Sequence, residues 1–241
     1  MSRFLARGAA AALLALCVGG LAHAKPATKP VAKPVNEATR LEADKLIAAT
    51  AAPDLFLNET RDGAILIRHK ASNFQCLFTP GEANSLMVPA EAPRGAEIGC
   101  DGPAMLFHTT YFIERVDAGE TLDKRFAEAL DAVKTRWPNA LKIKVVGDTN
   151  QDVLTKLAAS APPSRTGWYV AMNDNGSAFT RVSVARVGDW LVTMRAAGPL
   201  ESQKSAESLT EMLWLTRLMV MTDPALGPKP IVAAQGGQKK R

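Results

Sequence analysis

Three β-rich runs in the last third of the chain are joined by connections so short that the strands have to reverse and pair side by side. Gly167 to Asn173, Phe179 to Val187 and Trp190 to Ala197 are separated by loops built on Asp174-Asn175-Gly176 and Gly188-Asp189. Asn, Asp and Gly tolerate the positive φ that tight hairpin loops require. Loops of this length leave no room for a crossover helix, so the pairing is antiparallel. After Gly198-Pro199 a long helix is expected over about Glu201 to Met221. Its Leu209, Met212, Leu213, Met219 and Val220 are expected to face the sheet, with Met212, Met219 and Met221 as core filling.

A second helix is legible in the middle of the chain. Thr121 is a cap residue, and Leu122, Phe126, Leu130, Val133 and Trp137 then recur at helical spacing until Pro138 stops the run. Further upstream, Asn36 followed by Glu37 marks a helix start, with the helix running to about Ala51. Short strands are expected over Leu55 to Thr60, Ala64 to Lys70 and Phe74 to Thr79, then Leu86 to Val88 inside a Pro-rich loop, Pro80 to Gly95. Ile98 to Cys100 and Ala104 to Arg115 flank Asp101-Gly102, which reads as a hairpin turn. Leu141 to Val146 alternates as a strand, and Asp152 to Ala159 reads as a short helix. Strand runs interrupted by single helices, without regular βαβ alternation, predict an α+β fold. The expectation is one compact domain, an antiparallel sheet with helices packed on one face, and one disulfide.

The first 24 residues have the layout of a secretory signal: Arg3 and Arg7, an apolar run from Ala9 to Leu21, and Ala22-His23-Ala24 as a small-x-small cleavage site. The apolar run is too short for a comfortable membrane span, so the mature chain is expected not to span a membrane and to be periplasmic or secreted. A competing layout is a lipobox at Leu14-Ala15-Leu16-Cys17, although Leu16 stands where a small residue is usual. Residues 25–35 repeat a Lys-Pro step and read as an extended linker. Residues 36–224 make the domain, and 225–241 read as a basic tail. With the leader removed, Cys76 and Cys100 are the remaining cysteines, and an even pair in an oxidising compartment reads as a disulfide.

Charge has to be divided by region before it says anything about partners. Nine of the 29 basic residues lie in the leader, the linker and the tail, leaving 20 against 24 acidic ones in the domain. The excess of four acids argues against a nucleic-acid binder, which would be expected to carry a basic stripe on its folded surface. The basic ends read as solubilising segments, or as contacts for anionic envelope polymers and lipid headgroups.

Catalytic equipment is sparse. His69 and His108 have no His or Cys partner at metal-ligand spacing, and neither a Gly-x-Ser-x-Gly elbow nor a phosphate-cradling glycine loop occurs. No catalytic residue, metal or cofactor is therefore expected. A carboxylate pair stays open, because sequence alone cannot pair acids in space. Trp168, Tyr169 and Trp190 are the candidate aromatic contact surface for a partner, with core packing as the alternative use.

The segment Arg181 to Pro199, running into the helix from Glu201, is similar to the closing strands and helix of the PsbP-like superfamily, α+β modules that include periplasmic DcrB-like lipoproteins. The stretch Ile67 to Cys76 resembles the opening segment of that group. The likeness spans about half the mature chain. It implies an accessory or binding module without catalytic residues of its own. The expected function is an exported, non-catalytic cell-envelope module that binds a protein, glycan or lipid partner. The competing expectation is a periplasmic hydrolase using a carboxylate pair. Mass spectrometry of the mature protein should find Lys25 at the N-terminus; a diacylglyceryl group on Cys17 would replace the secreted reading with a lipoprotein.

Overall fold

Asn36 opens the first helix by accepting a hydrogen bond from the Ala38 amide, which satisfies one of the unpaired N–H groups of the first turn. In the computed structural model this chain is described over residues 36–61, 63–105, 107–117, 119–145, 151–173 and 176–227. The leader with its Ala24 and Cys17, the Lys-Pro linker and nearly all of the basic tail lie outside these residues. The helix, α1, covers Glu37–Ala48. Strands β1 (Phe56–Asn58), β2 (Ile65–His69) and β3 (Gln75–Phe78) follow and form a small antiparallel sheet in the order β1-β2-β3.

The larger sheet takes the remaining strands: β4 (Ser85–Met87), β5 (Glu97–Ala104), β6 (Phe107–Arg115), β7 (Leu141–Ile143), β8 (Ser164–Asn173), β9 (Gly176–Val187) and β10 (Trp190–Pro199). Its order is β4-β5-β6-β10-β9-β8-β7, antiparallel at each pairing. The meander expected from the three late runs is present as β8, β9 and β10. Trp190 pairs with Val187 across the two-residue connection, where Gly188 supplies a φ of +58°.

Three helices complete the chain: α2 (Leu122–Arg136), α3 (Gln151–Ser160) and α4 (Gln203–Thr222). Thr121 caps α2 by accepting from the Lys124 amide. The α+β class, the antiparallel sheets, the compact domain and the disulfide follow the sequence expectation, but the helices do not share one face. Side chains alternate along each strand, so Val182 and Val184 of β9 point to one face, where α2 covers them with Ala129 and Val133. Ala185 of β9, with Val192 and Met194 of β10, points to the other face, against Trp214, Leu215 and Leu218 of α4. That second face also receives α1 and the small sheet, through Ile65, Ile67, Phe74 and Ala43.

Cys76 and Cys100 form the predicted bond, with Cα atoms 5.9 Å apart. Cys76 belongs to β3 and Cys100 to β5, so the bond joins the small sheet to the large one. Polar contacts reinforce the same seam. Arg217 of α4 donates through Nε to the Gln75 carbonyl at 3.1 Å and through Nη1 to the Tyr111 hydroxyl at 2.6 Å.

Two local expectations fail for identifiable reasons. Asp101-Gly102 is not a turn: β5 runs straight through it, and Asp101 pairs with Thr110 of β6 and accepts a hydrogen bond from its hydroxyl. Gly102 is there because a Cβ would come within 2.7 Å of Asn84 Oδ1, so a residue read as turn material serves close packing. On α4, Met212 is exposed and Leu209 and Leu213 are half-buried, whereas Trp214 and Leu218 are fully enclosed. Leu218→Ala should therefore cost about 2 to 5 kcal/mol, and Leu213→Ala distinctly less. Chemical unfolding midpoints for the two variants check this order.

Candidate functional site

The structure buries all three aromatic residues proposed from sequence as a contact surface. Trp168 packs on Phe179 with ring centroids 5.4 Å apart, and Trp190 meets the edge of the His69 ring. Tyr169 lies on the opposite face under α2, where burial pushes its phenol up from its ordinary value. The three are core residues on two faces, and they do not converge. Core packing, the alternative use, is what they perform.

The open surface lies elsewhere. Helix α2 rests on β8 and β9, and among the described residues the same face of β10, β6 and β5 continues past it without a second helix. Residues that point there are His108, Thr110 and Phe112 of β6 and Arg195 and Ala197 of β10. They meet Ala132, Val133, Arg136 and Trp137 from the last turns of α2 and form a groove of about 390 Å³. That is within the range of small-ligand sites, roughly 300 to 1,000 Å³. The β6 sequence already alternates for this: Phe107, Thr109, Tyr111 and Ile113 are buried against the other face, while the residues between them are exposed or half-buried.

Arg195 is the unusual member. It is half-buried on the groove floor, directly opposite Thr110 and Val182, with its guanidinium 5.9 Å from the Phe112 ring centre. Its Nε is buried and has no hydrogen-bond partner. Burial first, and then the like charge of Arg136, holds its pKa below the usual arginine value. Arg136 itself lies over Trp137 at 4.9 Å. Neither guanidinium forms an ion pair among the described residues.

Past Phe112 and Arg195 the groove continues as a smaller trough of about 230 Å³ between the start of α2 and β5–β6. Glu97 and Glu114 stand opposite each other there. Burial, then Glu114, raises the Glu97 carboxyl above its ordinary value. Glu114 pairs with Arg125 at 2.6 Å, and Arg125 also reaches Glu128 at 3.6 Å. Asp101 is engaged separately, by His108 at 2.9 Å and by Thr110. The acids in and beside the groove thus gather around Arg125, His108 and Thr110 rather than around Arg195.

His69, the other histidine of the domain, is fully buried in the opposite face between Phe56 and Trp190. Its Nδ1 shares a hydrogen bond with Ser72 Oγ at 2.9 Å, and its Nε2 has no partner. Burial lowers its pKa from 6.5 to about 4. Among the described residues no cluster of three His, Cys, Asp or Glu side chains is placed to hold a metal ion. No described helix is long and apolar enough to cross a membrane.

Sequence reasoning named His108, Val133 and Trp137 without bringing them together, and did not single out Thr110, Phe112, Arg136 or Arg195. The available signal was Arg195 itself, the single charged residue in the stretch Trp190 to Ala197.

No family model matches this chain, and neither does any curated protein. Among solved structures it is similar to a Pseudomonas aeruginosa protein of unknown function, described as a candidate regulator. The identity is 9%, the match covers 64% of this chain and 96% of that one, and the TM-score is 0.33. It is also similar to the Ran-binding protein Mog1p of Saccharomyces cerevisiae, at 10% identity, with 68% and 97% covered and a TM-score of 0.34. These scores are too low to establish a shared fold.

The His69 environment gives a pH dependence with a definite sign. The unfolded chain takes up a proton near pH 6.5 and the folded chain only near 4, so protons favour the unfolded state between these values. Stability should be undiminished by this group above pH 6.5 and fall by roughly 3 kcal/mol as the pH drops to 4, at about 1.4 kcal/mol per unit. His69→Phe should flatten that part of the profile when denaturation midpoints are compared across the range.

Proposed function

We propose that this chain is an exported, non-catalytic cell-envelope module that seats its partner in the groove between α2 and the β6–β10 part of the sheet. The observation that carries this reading is the sheet face that α2 leaves uncovered among the described residues. Phe112, Val133 and Trp137 give it apolar and aromatic walls, and unpaired arginines supply polar contacts. Export rests on the leader layout and fits the Cys76–Cys100 disulfide, which belongs in an oxidising setting. The PsbP-like resemblance enters as part of the same proposal, since the meander and closing helix that carry it are present as β8–β10 and α4.

A second reading attaches to Glu97. A hydrolase would use its raised carboxyl as a proton donor and Glu114 as the partner base or nucleophile. Arg125 engages the Glu114 carboxylate at 2.6 Å, so it is tied to α2 rather than left open to a substrate. The binding reading therefore stands first. With a photoreactive residue placed at His108 or Ala132, crosslinked products should form in the intact cell envelope. The same residue at Met212, on the outer surface of α4, should give none. Equal yields from the α4 position would remove the groove as the contact surface.

A further inference from the structure

Arg181, Arg217 and Arg195 are each wholly or partly buried against the large sheet, and their guanidinium groups are partnered differently. Arg181 on β9 is fully enclosed, and its guanidinium is satisfied on all sides. Nε donates to Ser183 Oγ at 2.9 Å and Nη1 to Thr210 Oγ1 at 2.7 Å, while Glu211 and Glu207 supply the negative charge. Arg217 lies over the Tyr111 ring at 4.4 Å and donates to two oxygens. Arg195 has neither arrangement. Its Nε is desolvated and unbonded, and the charged group that acts on it is another cation, Arg136. Leaving a partly buried guanidinium unpaired is costly, and packing an apolar side chain there would avoid the cost. The arrangement is consistent with a negative charge that arrives from outside.

We propose that the groove is an anion site in which Arg195 and Arg136 together hold the carboxylate or phosphate of an amphiphile whose apolar body lies along Phe112, Val133 and Trp137. This rests on the groove being the binding surface, and names the chemistry of what enters it. The two guanidinium planes are steadied by aromatic rings, Phe112 beneath Arg195 and Trp137 beside Arg136, which fixes them for forked contact with planar or tetrahedral oxyanions. Charge also sets the orientation. Glu97, Glu114 and Glu128 collect with Arg125 in the trough beyond Phe112, so an anionic head is repelled from that end and drawn to the Arg136 end. Asp101 does not compete for Arg195, because His108 and Thr110 hold it.

Four probes decide the matter on the domain spanning residues 25–241: decanoate, decyl phosphate, decanol and inorganic phosphate. Binding is followed by the NMR shifts of the Trp137 indole N–H and of the Arg195, Ala196 and Ala197 amides. Decanoate or decyl phosphate should shift these signals at concentrations roughly tenfold or more below those needed for decanol or for inorganic phosphate. Whichever of the two binds more tightly identifies the head group. Arg195→Met should weaken that binding by roughly tenfold or more while leaving the unfolding temperature unchanged or higher, since it removes an unpaired charge. Arg136→Gln should weaken it by a smaller factor. Decanol binding as tightly as the anionic probes would overturn the anion site and leave the groove intact as a contact surface. Inorganic phosphate matching decyl phosphate would overturn the amphiphile. An Arg195→Met protein that loses stability and keeps its affinity would make Arg195 a structural residue. If none of the four probes shifts these signals, the anion proposal fails whatever the crosslinks from His108 and Ala132 show.

Discussion

Seven strands at about 4.8 Å spacing put the outer strands about 29 Å apart, and a helix with its side chains is only about 10 Å across. That mismatch governs the rest of the molecule. On one face the shortfall is met by α4, α1 and the small sheet together, and the largest buried cluster lies there. On the other face α2 is the helix packed on the sheet, over β8 and β9. Whatever part of that face lies beyond its reach has to be either polar or used. The residues found there are a mixture, with Thr110, His108 and Arg195 beside Phe112 and Ala197. Such a mixture suits a surface that meets water for part of the time.

The crowded face carries its own electrostatic requirement. Arg181 sits fully enclosed between β9 and α4, where an unpaired charge would be strongly destabilising. Glu207 and Glu211 on α4 meet it, one turn apart on the helix. Burial raises Glu207 above its ordinary value even with Arg181 nearby. The network fixes the position of α4 along the sheet more narrowly than apolar contact would, because a displaced helix would strand a guanidinium.

Local grammar carried most of the fold. The Gly188-Asp189 reversal, the Thr121 cap, the Asn36 cap and the stripe of Phe126, Leu130 and Val133 are short-range signals, and each appears where expected. What sequence could not supply is the face on which a helix lands. Periodicity says that α2 and α4 each have an apolar side, and nothing in either stripe says that the two lie across a sheet from one another. The Asp101-Gly102 error has the same root. A turn dipeptide and a strand glycine that makes room for Asn84 look alike until the neighbouring chain is in place. The groove was least legible, because it exists only where α2 fails to cover β10, and neither element records that shortfall in its own sequence.

The pairing of β6 with β10 has a kinetic meaning. Ile113 lies against Val192, with α2, β7, α3, β8 and β9 all threaded between them. The hairpins on either side, β5–β6 and β8–β9–β10, are made of sequence neighbours and close cheaply, while bringing the two together carries the entropy of a long loop. The central seam is therefore expected to be a late event, preceded by two half-sheets with bare edges at β6 and β10. Unpaired strand edges are where chains join the wrong partner. The disulfide falls wholly within the earlier half, Cys76 to Cys100, and so cannot hold the two halves together while they search for each other. The yield of folded protein should thus depend on concentration during refolding more than on the speed of thiol oxidation.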